Sequence, residues 1–315
     1  MVIPTTPATP LHDAHQAGFL LETTSEFTKP ALNINQMIDN LKYHGMVFSD
    51  KEAAKNALLT INYYRLSTYW FPYKIEAGDG DYRFSENLDF ATILRHHEFD
   101  QALRHKVMRG VEIIEIALRR ALASELSWRE GAFAHQKLEL YSSRPIWEKH
   151  IIRLKKDFDE SKEEFANHFR VKYSNLQLPP IWVSLEMSSF GVLSQFYSNI
   201  KDSQTRSVIA HIFGLDEEVL ISFLHHLTSV RNLCAHHARL WNRKFVIKPK
   251  LPRRIPSTYK DKFNRSNVGS KQLYNTLVIM DFVISNLKPS FHFLSECEEI
   301  ISDYPEIKSL YMGKL

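Results

Sequence analysis

The chain predicts an all-α protein, a helical bundle with helical extensions at both ends. Three observations carry this. Only 10 of the 315 residues are glycine, and 44% are apolar. The apolar residues also recur three and four apart over long runs, which lines one face of a 3.6-residue helix. Leu103, Val107, Val111, Ile114, Leu118, Leu122 and Leu126 form one such run; Leu220, Phe223, Leu224, Leu227, Val230 and Cys234 form another.

Residues 1–29 are expected to be a flexible tail, because the first thirty positions hold four prolines, many threonines and no sustained period. Ile34, Met37, Ile38 and Leu41 then mark a short amphipathic helix that stops at His44-Gly45, and Ser49 with Glu52 reads as the capping box of the next helix. That second helix carries Asn62-Tyr63-Tyr64-Arg65, with Leu59, Tyr63, Leu66 and Trp70 as its buried face. Arg65 is set apart as a candidate RNA contact, since basic and aromatic side chains together hold phosphates and stack on bases. The polar, glycine-bearing stretch Glu76-Ala-Gly-Asp-Gly-Asp reads as a loop that closes a small N-terminal helical subdomain, residues 30–80.

The longest helical pattern runs from Asp89 to about Trp128. Within it Gly110 either kinks the helix or admits a close neighbour, and Glu115 precedes Arg119 by four, a helix-stabilising pair. Residues 145–175 read as one charged helix whose Arg153-Leu-Lys-Lys run is a solvated face. Pro179-Pro180 opens a helix from Ile181 to about Ile200, in which Gly191 signals close approach of another helix. Asp216 is a plausible N-cap; Glu217 and Glu218 then place negative charge where the macrodipole favours it, at the start of a helix that reaches about 238. Lys244 to Lys248 read as a short extended segment. Arg243, Lys244, Lys248, Lys250, Arg253 and Arg254 make the densest basic run, either a solvated loop or a track for an RNA backbone. Helices resume from about Ser270 to Leu287 and after Pro289.

Composition bounds the function. The formal net charge of +4 permits nucleic-acid binding without demanding it. Two cysteines, Cys234 and Cys297, exclude a disulfide framework and a cysteine-rich zinc site. No apolar run reaches membrane-spanning length and no basic stretch precedes an apolar segment at the N-terminus, so a cytoplasmic protein without a membrane partner is expected. No cofactor is called for.

The chemistry concentrates in Arg-Asn-Leu-Cys-Ala-His-His at 231 to 237. Arginine binds phosphate oxygens through a planar fork, and a histidine of ordinary pKa exchanges a proton near neutrality. Together they suit phosphodiester cleavage in RNA, where the 2′-hydroxyl attacks its own phosphate once a base takes its proton. Asn232 and His236, four apart, share a helix face. Arg231 and His236 lie about 140° apart around an ideal helix, so one copy is a poor clamp and a second copy facing it completes the site. Spacing alone is weak, because Arg129/His135, Arg144/His150 and Arg206/His211 are similar; only the pair at 231 has Asn after the Arg and a second His. A helix end with a surface Arg and two capping histidines remains the plain structural alternative. A third reading, a metal hydrolase liganded by His225, His226, His236 and His237, lacks a carboxylate within the motif.

Arg-Asn-Leu-Cys-Ala-His-His-Ala-Arg-Leu-Trp-Asn at 231 to 242 resembles the signature of the abortive-infection (Abi-like) proteins of the HEPN superfamily. The resemblance extends to Ile-Asn-Tyr-Tyr-Arg-Leu-Ser-Thr-Tyr-Trp at 61 to 70, Phe-Asp-Gln-Ala-Leu-Arg at 99 to 104, Ile-Glu-Ile-Ala-Leu-Arg at 114 to 119, and Leu-Pro-Pro-Ile-Trp-Val-Ser-Leu-Glu-Met-Ser-Ser-Phe-Gly at 178 to 191. It implies a HEPN-like helical core over 88–245, followed by a basic loop and C-terminal helical extension over 246–315. It also implies metal-independent RNA cleavage by a homodimer in phage defence or toxin–antitoxin-like control, or else an RNA-binding protein that holds a small structured RNA with little cleavage. The residues it assigns to the site are Arg231, Asn232, His236 and His237, with His236 first among the histidines and Glu115 as a supporting group. Arg65, Arg239, Arg243 and Lys244 are the candidate contacts to RNA.

Overall fold

The computed structural model describes residues 30–78, 81–307 and 312–313. Residues 1–29, expected as a tail, lie outside them. The architecture is an all-α bundle built on one spine. Helix α4, Phe90–Glu130, is 41 residues long and therefore about 60 Å from end to end.

Before the spine come α1 (Ile34–Tyr43), α2 (Lys51–Thr60) and α3 (Tyr63–Trp70), then a hairpin of β1 (Lys74–Gly78) and β2 (Asp81–Phe84) paired antiparallel with Lys74 opposite Phe84. After it come α5 (Arg144–Glu160), α6 (Glu164–Lys172), α7 (Ile181–Ser184), α8 (Phe190–Asn199), α9 (Ser203–Ile212) and α10 (Glu217–Ala235). The chain closes with α11 (Ser257–Lys260), α12 (Tyr274–Leu287) and α13 (Phe293–Ser302). Helices α3, α7, α8, α9, α10, α12 and α13 all pack on α4. Its buried stripe, including Leu103, Val107, Val111, Ile114, Leu118 and Leu122, is the centre of the core. No helix among the described residues is long and apolar enough to cross a membrane.

Both notable glycines mark close approach. At Gly110 an added Cβ would lie 2.6 Å from a Phe293 ring carbon and 2.7 Å from the Met280 methyl, so α12 and α13 sit directly on the spine there. At Gly191 it would lie 3.3 Å from Thr228 of α10.

Six features differ from the sequence reading, through capping, strand pairing or long-range contacts. Asp50 caps α2, accepting from the Ala53 N–H, while the Ser49 N–H donates to Asp89. The helix expected through residues 51–70 breaks at Ile61, because Asn62 caps a new helix by accepting from the Tyr64 N–H. Leu59 consequently faces solvent while Leu66 and Trp70 are buried. Of the loop expected at 76–81, residues 76–78 belong to β1 and Asp81 to β2, while residues 79–80 lie outside the described residues. The 145–175 helix divides at Ser161, where Arg170 donates to the freed carbonyls of Phe158 and Ser161. The 181–200 helix divides because Arg119 captures the turn between its halves, donating to Leu185 O at 3.2 Å and Ser188 O at 2.9 Å. The pair with Glu115 is present at 2.6 Å. Residues 244–248 form no strand; the Phe245 N–H instead donates to Lys271 O.

Candidate functional site

Helix α10 starts as its acidic first turn dictates and ends within the candidate motif. His236 is the C-cap, and His237 adopts φ +55°. The Ala238 N–H donates to Leu233 O at 2.8 Å and the His237 N–H to Cys234 O at 3.0 Å. This is the paired C-terminal closure in which the left-handed residue is usually glycine. Histidine there is uncommon, and it turns the two adjacent imidazoles into different surroundings. Asn232 and His236, both exposed, line a groove of about 330 Å³ together with Arg243, Lys244 and Val246. His237 lines a separate cleft that it shares with Arg65 and Arg104.

Arg231 is half-buried. Its Nη1 donates to Asn232 Oδ1 at 3.4 Å, its buried Nε has no hydrogen-bond partner, and no carboxylate among the described residues pairs with it. A guanidinium in this condition keeps its charge for an incoming anion.

The backbone after the helix is tightly held. Asp100 of α4 is fully buried and accepts from Tyr69 Oη at 2.8 Å, Arg104 Nη1 at 2.5 Å, Leu240 N at 3.0 Å and Trp241 N at 2.8 Å. Burial pushes its carboxyl above the usual range, and Arg104, the Trp241 N–H, Tyr69 and the Leu240 N–H pull it back. Every one of these partners donates, so the arrangement is built for the carboxylate form. Arg65 donates to the His237 carbonyl. Arg239 donates to Thr68 O at 2.8 Å, and Arg243 Nε to Arg239 O at 2.9 Å. Three separate segments, 65–69, 100–104 and 237–243, are thereby locked together.

The four candidate RNA contacts separate accordingly. Arg243 and Lys244 line the His236 groove, Arg65 opens onto the other cleft, and Arg239 is a half-buried brace between α3 and the loop. The far wall of the His236 groove is fixed by His226, whose Nδ1–H donates to Ile247 O and whose Nε2 accepts from the Thr276 hydroxyl, both at 2.7 Å. Burial holds that imidazole down to about 4. With both nitrogens engaged, His226 has none left for a metal. Among the described residues no group of three or more His, Cys, Asp or Glu side chains is placed to hold one, so the four-histidine site is not assembled. Burial also pushes the Cys234 thiol up to about 12, which removes it as a nucleophile.

Residues 56–242, more than half of the chain, match the family model of the Abi-like proteins. The chain belongs to the Abi-like protein family. Membership points to abortive-infection phage defence. No curated protein and no solved structure matches the chain significantly. In this Abi-like protein the matched region runs from α2 to Asn242, so it encloses the Asp100 network, the cleft of His237 and the helical wall of the His236 groove, whose other wall, Arg243 to Ile247, lies beyond it. Sequence reasoning missed Tyr69, Asp100 and Arg104 as the residues that position the motif. The i, i+4 Asp–Arg pair inside Phe-Asp-Gln-Ala-Leu-Arg was the available signal, but nothing local says that its oxygens reach residues 240 and 241.

Proposed function

We propose that this Abi-like protein is a metal-independent endoribonuclease of the HEPN type, acting in phage defence or toxin–antitoxin-like control. The observation that carries this reading is Arg231. A half-buried guanidinium without a counter-ion stands beside Asn232 and five positions before an exposed His236, on backbone that Asp100 and Arg65 hold rigid. His236 takes the proton of an RNA 2′-hydroxyl, the 2′-oxygen attacks the adjacent phosphorus, and Arg231 stabilises the charge that develops on the phosphoryl oxygens. The 5′-oxygen leaves with a proton, giving a 2′,3′-cyclic phosphate and a new 5′-hydroxyl end. Lys244 and Arg243 beside His236 suit the flanking phosphates.

One chain offers one Arg/His set, so the composite site requires two chains. A two-fold axis beside the end of α10 brings both sets to one groove. The test is RNA binding and cleavage measured in parallel in excess EDTA. His236→Ala slows cleavage by about 10²–10⁴-fold and spares binding, whereas Arg231→Ala weakens both. Mixing the two variant chains restores part of the cleavage. Full cleavage by His236→Ala removes the proposed base, and a monomer that cuts at undiminished specific rate on dilution removes the shared site. RNA binding that depends on Arg231 without new 5′-hydroxyl ends in the wild type makes the protein a non-catalytic RNA binder.

A further inference from the structure

The cleft onto which His237 opens is distinct from the groove of His236 and has a volume of about 630 Å³, within the range of small-molecule sites. One wall is a single face of α4: His97, Gln101, Arg104, His105 and Met108 recur at helical spacing. The opposite wall is the junction of α2 and α3, with Ile61, Asn62 and Arg65.

None of the residues lining it is Asp or Glu. Arg104 has its counter-ion in the buried Asp100, but Arg65 is exposed, pairs with no carboxylate among the described residues, and holds only the His237 carbonyl. The imidazole of His97 is held below its ordinary value by burial first and then by the nearby charges of Arg104 and Arg65. The exposed amides of Asn62 and Gln101 stand beside the apolar side chains of Ile61 and Met108. Cations, amides and apolar side chains thus line one carboxylate-free cleft, a combination that suits a phosphate joined to a base.

We propose that this cleft is a nucleotide site, in which its cationic side chains, Arg65 and His105 among them, take the phosphate while its amides and apolar side chains are offered to the base. The nucleotide is either free or part of the RNA strand. Because the same Arg65 guanidinium holds the His237 carbonyl, a phosphate that draws Arg65 away loosens the end of α10. Occupancy of the cleft therefore adjusts the motif. That coupling rests on the function proposed above; the binding itself does not.

The experiment is equilibrium dialysis of the full chain with labelled adenosine monophosphate. Saturable binding is expected, with displacement by inorganic phosphate. Gln101→Glu combined with His105→Glu, both exposed on α4, should weaken it by about tenfold or more, since two carboxylates then oppose the phosphate. Lys156→Glu, on the solvated face of α5, makes the same change in net charge and should leave binding unaltered. Circular dichroism and thermal melting establish that each variant is folded. No saturable binding overturns the proposal, as does equal binding by the folded double variant or equal weakening by Lys156→Glu. Displacement of the label by a short RNA assigns the site to the strand; simultaneous binding of both assigns it to a free nucleotide. A protein that binds the nucleotide here but cuts no RNA overturns the ribonuclease reading alone. One that cuts RNA without binding the nucleotide overturns this one alone.

Discussion

Asp100→Asn is the sharpest test of how the motif is held. The asparagine has the same shape, and its single oxygen can keep the backbone bonds now made to Leu240 N and Trp241 N. Its NH2 group then faces the Arg104 guanidinium and the Tyr69 hydroxyl, two donors that have lost their acceptor. Removing one member of a buried ion pair costs about 3–5 kcal/mol. Counting the two lost bonds to a charged group separately, at about 1.5–3 kcal/mol each, gives roughly the same figure. Against a total stability of about 5–15 kcal/mol, this loss is large yet leaves a folded protein over much of that range. Urea unfolding should show a lower midpoint at unchanged slope. Trp241, whose ring stacks on Tyr69 at 6.2 Å, contributes to the fluorescence signal. Tyr69→Phe removes one bond and should cost about 1.5–3 kcal/mol. On an Arg104→Met background the effect of Asp100→Asn should shrink by about 2 kcal/mol, because the stranded charge is gone. A loss below about 1 kcal/mol, or no coupling to Arg104, refutes the network as the fastening of the motif.

Other outcomes follow from the same geometry. Gly110→Ala should destabilise by about 1–3 kcal/mol despite alanine's better helix propensity, because its methyl meets Phe293 and Met280; denaturant midpoints measure it. His237→Gly should raise stability by up to about 1 kcal/mol, since glycine accepts the left-handed backbone without strain, while a site that needs both imidazoles loses rate. Burial holds His135 and His226 down to about 4, so between about pH 6.5 and 4 the unfolded chain binds their protons and the folded one does not. Stability should therefore fall with pH through that window by about 3 kcal/mol per histidine and level off below it, with a shallower slope in His226→Gln.

The spine and α10 were legible because their signals are local: the apolar spacing, and Glu217 with Glu218 in a first turn. Gly45 as the stop after α1, at φ +92°, was legible for the same reason. The break in the 181–200 helix was not, since it depends on Arg119, which lies 66 positions before Leu185. The hairpin was hidden because its strands are only five and four residues long and the first ends on a glycine. At the site, sequence brought forward Arg231, Asn232, His236 and His237, but placed His236 within the helix and the two histidines on one structure. Their separation depends on a left-handed residue that no glycine announces.

The bonds that complete the motif join residues far apart in the chain: Asp100 to Trp241 spans 141 positions, and Arg65 to His237 spans 172. During synthesis the spine and its N-terminal helices therefore emerge while α10 has yet to be made. Contacts of such separation form late, after the shorter loops have closed. A partly made or truncated chain has Asp100 and Arg65 waiting with no motif to grip. The arrangement at the end of α10 thus comes into being only once residue 241 has joined the fold, so that assembly of the bundle itself times the appearance of the site.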